Sequence, residues 1–185
     1  SIARYGLFIG AIIVLSLYSG KLKAQTTLID PAGAGGFELG STFAANGWTD
    51  AQSATGNKWY VGTYTHTAGS RGVYVGTSAS NNNYSKWGFS SASRIQHFYR
   101  DVSFPAGETD ITLSFKWRCE GEYNHDDIKV FLAPTGVTPA AGTTISNTYL
   151  IGGAYDGEGT YQTVTIKLDA ANAGTTKRLI FQWRN

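Results

Sequence analysis

An all-β, two-sheet sandwich is the fold this sequence predicts, on three observations. Several stretches alternate apolar and polar residues with period two. Glycine- and proline-bearing turns separate them. No stretch past residue 24 carries a convincing helical period. Period-two alternation puts one face of a strand on a core and the other in water. Many such runs without intervening helices favour a sandwich over a parallel α/β sheet.

The first element lies outside that domain. Gly6 to Tyr18 is an unbroken run of apolar and small residues preceded by Arg4 and followed by a polar segment ending Leu22-Lys23-Ala24. This is the pattern of a cleaved secretory leader, and the run is shorter than the roughly 20 residues a spanning helix needs. Residues 1–24 therefore read as a signal peptide. Residues 25–185 read as a single β-sandwich domain, secreted or on the cell surface and not membrane-spanning once the leader is cut, with Gln25 as the new N-terminus. The leader holds Arg4, Lys21 and Lys23, three of the 15 basic residues, and none of the 13 acids. The remainder carries 12 basic residues against 13 acidic ones, a formal charge near −1. Nucleic-acid binding, which works through basic patches, has no support in that balance.

The expected strands follow in chain order: Lys58–Tyr64, Gly72–Gly76, His97–Phe104, Asp110–Glu120, Ile128–Ala133, Gln162–Asp169 and Lys177–Arg184. The clearest is Asp110–Glu120. There Ile111, Leu113, Phe115, Trp117 and Cys119 share one face, and Thr112, Ser114, Lys116, Arg118 and Glu120 share the other. Val164, Ile166 and Leu168, then Leu179, Phe181 and Trp183, repeat the inward series. Pro105-Ala106-Gly107, Pro134-Thr135-Gly136 and Ala173-Gly174 are turns, and Ala170–Ala173 suits one helical turn. Thr77–Arg94, rich in Ser and Asn, reads as a long surface loop or irregular edge. The one cysteine, Cys119, rules out an intrachain disulfide. Its place in the apolar series makes it a buried thiol. The leader lacks Cys, which excludes a lipoprotein anchor at its cleavage site. The chain begins at Ser1 and stops directly after a strand-like run, so it reads as a piece truncated before its closing strand.

The order of short motifs carries a resemblance. Gly36-Phe37-Glu38 is followed by Gly47-Trp48, Lys58-Trp59, Gly69-Ser70-Arg71, His97-Phe98-Tyr99-Arg100-Asp101-Val102 and Phe104-Pro105-Ala106-Gly107. Then come Leu113-Ser114-Phe115-Lys116-Trp117, the run from Asp127 to Pro134, and the run from Arg178 to Asn185. This order resembles the MAM-like and cleaved-adhesin-like jelly-roll domains of secreted Bacteroidetes-type surface proteins, over nearly all of residues 28–185. The resemblance implies a galactose-binding-like jelly roll. It also implies a non-catalytic adhesion or carbohydrate-binding module of a larger surface protein, with a glycan or cell-surface ligand as partner. An accessory module of a secreted glycan hydrolase or peptidase, and a structural spacer, are the alternatives.

The same resemblance implies a structural calcium at Glu38, shared with an aspartate from the last strand, expected past Asn185. Calcium takes six to eight oxygens, so Glu38 alone does not make a site. The plainer reading is an ordinary surface or strand-end glutamate. Asp126 and Asp127, in the densest acidic stretch with Glu120 and Glu122, are the second metal candidates. Glu120 and Glu122 would sit about 6–7 Å apart on one strand face. Glycosidase carboxylates instead flank a sugar cleft from different elements. Asp156-Gly157-Glu158 reads as a turn or an ion loop. His66, His97 and His125 show no paired metal spacing, and no Gly-x-Ser-x-Gly elbow occurs. The ligand candidates are aromatic: Tyr84 and Trp87 beside Asn82, and Tyr155 in a Gly-rich loop. There rings can stack on sugar faces while amides take hydroxyls. The alternative is that each ring pins its own loop.

Overall fold

The computed structural model describes residues 25–80, 94–122 and 124–185. The leader, with its cleavage site, and Asn82, Tyr84 and Trp87 lie outside the described residues. Nine strands among the described residues build two layers: β1 (Thr49–Ala51), β2 (Lys58–Gly62), β3 (Gly72–Gly76), β4 (Ile95–Ser103), β5 (Ile111–Cys119), β6 (Asp127–Pro134), β7 (Leu150–Tyr155), β8 (Glu158–Leu168) and β9 (Thr176–Arg184). One layer is a five-stranded antiparallel sheet in the order β1-β4-β9-β6-β7. The other consists of two separate antiparallel pairs, β2-β3 and β5-β8. The expected all-β sandwich is what the chain forms, with its second layer divided into two ladders.

β9 is the spine of the five-stranded sheet. It pairs along its whole length with β4, from Ile95↔Arg184 to Ser103↔Thr176, and with β6, from Asp127↔Arg184 to Pro134↔Lys177. This register puts Phe98, Phe181 and Val130 in one inward row. Phe98 is the hub of the core. Its ring stacks on Phe181 at 4.9 Å and Phe43 at 5.2 Å. It meets Trp59, Trp48 and Phe37 edge-on at 5.2, 5.3 and 6.0 Å. The second layer closes over this row with Trp59 and Val61 from β2 and Ile111 and Leu168 from the β5-β8 pair. Gly62 is required beneath this hairpin: a Cβ there would run into the Tyr74 hydroxyl, which lies across it.

The residues before β1 reach the core through turns. Phe37, at φ 62°, and Trp48 stack at 5.6 Å, and the Trp48 indole Nε1–H donates to Ala34 O at 3.0 Å. Fully buried Asn46 holds the turn between them. Its Nδ2 donates to the carbonyls of Gly40 and Thr42, and its Oδ1 accepts from the Leu39 amide.

The structure corrects the sequence reading in four places. β1 and β7 were not expected. Tyr155, expected in a loop, ends β7, and its ring packs on Trp117 at 5.0 Å and Phe115 at 5.7 Å. Cys119 is half-buried rather than buried. The five-stranded sheet is covered on both faces. Residues 135–149 fold back over its outer side and enclose Phe131, Ala133, Ile145 and Ile180, with Tyr99, Val137 and Tyr149 around them. The reason is legible in β6 and β9: Asp127–Pro134 and Thr176–Arg184 hold large apolar residues at consecutive positions, not only at alternate ones, as strands buried on both faces do.

Candidate functional site

Period two dictates which side chains the second layer turns outward. In the β2-β3 hairpin Trp59 and Val61 go to the core, so Tyr60 and its cross-strand partner Tyr74 go to the other face. In the β5-β8 pair Val164, Ile166 and Leu168 go inward. Continuing the alternation back along β8 turns Thr163, Thr165, Lys167 and Tyr161 outward, opposite Lys116, Ser114 and Thr112.

These two faces meet in a tyrosine-bearing rim. Tyr64 follows β2 and is 50% exposed; Tyr161 is 38% exposed. Thr65 Oγ1 and the Tyr161 hydroxyl hydrogen-bond at 2.7 Å, joining the loop after β2 to β8. The Arg118 guanidinium lies 5.2 Å from the centroid of the Tyr161 ring, and Lys58 Nζ lies 5.6 Å from that of Tyr60. Tyr64 leans on Tyr74 at 6.1 Å, and Tyr74, itself buried, donates its hydroxyl proton to Ala79 O. The exposed rings are thus fixed by a hydrogen bond, a cation and a neighbouring ring while leaving surface in water. Amphipathic rings so held offer a flat apolar face with polar groups beside it, at little conformational cost on binding. The sequence reading passed over this rim. The available signal was Tyr161, one step of alternation beyond the strand expected from Gln162.

The acidic candidates are distributed differently from the expectation. Glu38 and the Gly69-Ser70-Arg71 motif meet. The Glu38 carboxylate accepts from the Ser70 amide at 3.0 Å, the Ser70 hydroxyl at 2.6 Å and the Arg71 amide at 2.9 Å. The Ser70 hydroxyl first, then the Arg71 and Ser70 amides and the Arg71 charge, hold its pKa below the ordinary carboxylate value. Gly69, at φ +67°, has the Glu38 carboxylate where its Cβ would be. Glu38 is a clasp for that loop.

Asp126 and Asp127 are elsewhere and nearly fully buried. Asp126 Oδ2 accepts from the Glu122 amide at 2.6 Å; Asp127 Oδ2 takes Arg184 Nη2. Asp156 Oδ2 accepts from the Asn124 amide at 2.8 Å, tying the loop before β6 to the β7-β8 turn. Glu120 pairs with Arg118 at 3.5 Å. Asp127 Oδ1 is buried with no hydrogen-bond partner, and calcium asks for six to eight oxygen ligands. Among the described residues no three His, Cys, Asp or Glu side chains are grouped to hold a metal ion.

Cys119 donates its thiol to Asp126 O at 3.3 Å. Burial pushes its pKa up, the Gly121 backbone offsets part of this, and the carboxylates of Asp126, Asp156 and Asp127 add to it. A raised thiol is the wrong state for a nucleophile. A shallow groove of about 300 Å³ runs between β7 and β8 beside the turn at 169–172, floored by Leu132, Ile151 and Ile166.

These features define a two-layer, all-β sandwich bearing an ordered aromatic rim. No protein-family model and no curated protein matches the chain. Among solved structures it is similar to the K1 cleaved adhesin domain of Lys-gingipain from Porphyromonas gingivalis W83. The match is 17% identical, covers 80% of this chain and 90% of that one, and has a TM-score of 0.43. No helix among the described residues is long and apolar enough to cross a membrane.

Proposed function

We propose that this chain is a secreted, non-catalytic recognition module of a larger surface protein, and that it takes a glycan on its tyrosine rim. The observation that carries the reading is the exposed pair Tyr64 and Tyr161, held by Thr65, Tyr74 and Arg118. Neither exposed ring belongs to the core clusters. The apolar faces of sugar rings stack on such side chains, and Thr65, the tyrosine hydroxyls and Arg118 supply hydrogen-bonding groups for hydroxyls. The motif order from Gly36-Phe37-Glu38 to Arg184-Asn185 supports the adhesion class, and the leader supports export.

A glycan array probed with the wild-type chain and with Tyr161→Ala tests this reading. The proposal expects a defined set of glycans for the wild type, reduced binding for the variant, and an unchanged melting temperature. An array with no ligand favours a spacer. Equal binding by both proteins moves the site elsewhere, with Tyr84 and Trp87 next in line.

A further inference from the structure

Residues 135–149 form a strap across the outer face of the five-stranded sheet. Its bonds to that sheet are few. The Ile145 amide donates to Gln182 Oε1 at 3.2 Å, the Gly142 amide to Ile95 O at 2.8 Å, and Arg178 Nη1 to Val137 O at 2.9 Å. Val137, Ile145 and Tyr149 pack on Phe131, Ala133 and Ile180. Segments held by so few contacts open below the global unfolding free energy.

Beneath the strap sits His97, with no exposed surface. Its Nε2 lies 3.2 Å from the same Gln182 Oε1 that accepts from Ile145. That oxygen can only accept, so Nε2 carries the proton and the bare Nδ1 is left buried without a hydrogen bond, with the Ala51 backbone beside the ring as the one group that favours its protonation besides Gln182. We propose that His97 is an acid-sensitive latch: a proton arriving at Nδ1 releases the 135–149 strap and uncovers the apolar strip of Phe131 and Ile180.

The surroundings make the imidazolium costly. In the cross-strand row of His97 stand Ala51 of β1, Gln182 of β9 and Lys129 of β6. The adjacent row holds Arg184 and Asp127, paired with each other. On β4 itself Tyr99 and Asp101 share the face, and Asp101 is taken by Arg178 at 2.7 Å. Residues 135–148 contain no titratable side chain, and the last strap residue, Tyr149, titrates only in alkali. The strap thus has no charge of its own with which to answer the proton; Asp101 and Asp127 are paired with Arg178 and Arg184, and Asp127 Oδ1 is the one oxygen of the two carboxylates left buried without a partner. Burial pushes the His97 pKa down, with the Gln182 bond and the Ala51 backbone giving partial support to the charged form. In the opened state the imidazole meets water and regains its ordinary affinity, so protons favour opening. The closed strap is fully held above about pH 6.5 and loosens as pH falls from there toward the lowered value in the closed state.

Amide hydrogen exchange between pH 7 and 5, corrected for intrinsic rates, reads this directly. Protection of the Ile145 and Gly142 amides should fall by up to about tenfold per pH unit below 6.5. The Leu179 amide in the spine strand should keep its protection over the same range. In His97→Gln, which can still donate to Gln182 but has no second proton to take, strap protection should be flat with pH. The proposal is overturned if strap and spine amides lose protection by the same factor, which is global destabilisation. It is equally overturned if strap protection does not change with pH. Should the variant fail to fold, the wild-type contrast between strap and spine decides alone.

Discussion

Replacing Phe98 with alanine should be among the most costly single changes this fold can suffer. Phe98 is 5% exposed and touches five aromatic rings with centroids between 4.9 and 6.0 Å. Truncating a buried Phe costs about 3–5 kcal/mol through lost transfer energy and the cavity left behind. Well-oriented aromatic pairs add about 0.5–1.5 kcal/mol each, not additively. The five rings come from β2, β9 and the turns before β1, so no single element can collapse into the gap. The upper end of the range, about 5 kcal/mol, is therefore expected. Against a whole-domain stability of roughly 5–15 kcal/mol, that leaves the variant marginal. Equilibrium urea unfolding followed by tryptophan fluorescence measures it, with Leu39→Ala as control. Leu39 is 62% exposed, and its loss should stay within about 0.5 kcal/mol. A Phe98→Ala loss below about 1 kcal/mol would refute the placement of this residue as the hub.

Trp117→Ala should cost less, about 2–3 kcal/mol, because its indole Nε1–H is buried with no partner and already detracts from the burial of the ring; Trp117→Phe, which removes that N–H, should cost under about 1 kcal/mol in the same urea assay. Gly62→Ala should lower the melting temperature, since its methyl group meets the Tyr74 hydroxyl; a loss of about 1–3 kcal/mol is expected. Glu38→Gln should free the Gly69–Arg71 turn. Because the folded-state pKa of Glu38 is lowered, its contribution is complete above the ordinary value of 4.5 and is lost as pH falls through the folded value. The gap in melting temperature between wild type and Glu38→Gln should therefore narrow in acid. N-terminal sequencing of protein exported by its native host should begin at Gln25.

The strands with clean alternation were readable because one face of each meets the core and the other meets water. The Ile111–Trp117 part of β5 and the Gln162–Leu168 part of β8 follow that rule residue by residue; beyond Trp117 a register shift breaks it. β7 was hidden for a physical reason. Leu150-Ile151-Gly152-Gly153-Ala154-Tyr155 pairs with β6 through two register shifts, and such irregular pairing breaks the period that a strand assignment rests on. The double covering of the spine was written in Leu179-Ile180 and Val130-Phe131, but adjacent apolar residues alone do not say what lies over the second face. Glu38 and Ser70-Arg71 were each visible as motifs. Their contact, across more than 30 positions, was not. The tyrosine rim was missed because exposed tyrosines on a strand and in a loop carry no joint signature until folding brings Thr65 to Tyr161. Its rings nonetheless follow from the alternation that defined β8.

Titration calorimetry of the strongest glycan from an array, against wild type and the double variant Tyr64→Ala/Tyr161→Ala, measures whether the tyrosine rim binds it. Loss of an anchoring ring from a binding surface typically costs about 1–2 kcal/mol or more, and each 1.4 kcal/mol is a factor of about ten in affinity. A Kd at least tenfold weaker is expected for the double variant, at an unchanged melting temperature. An unchanged Kd, with both proteins equally folded, would contradict it.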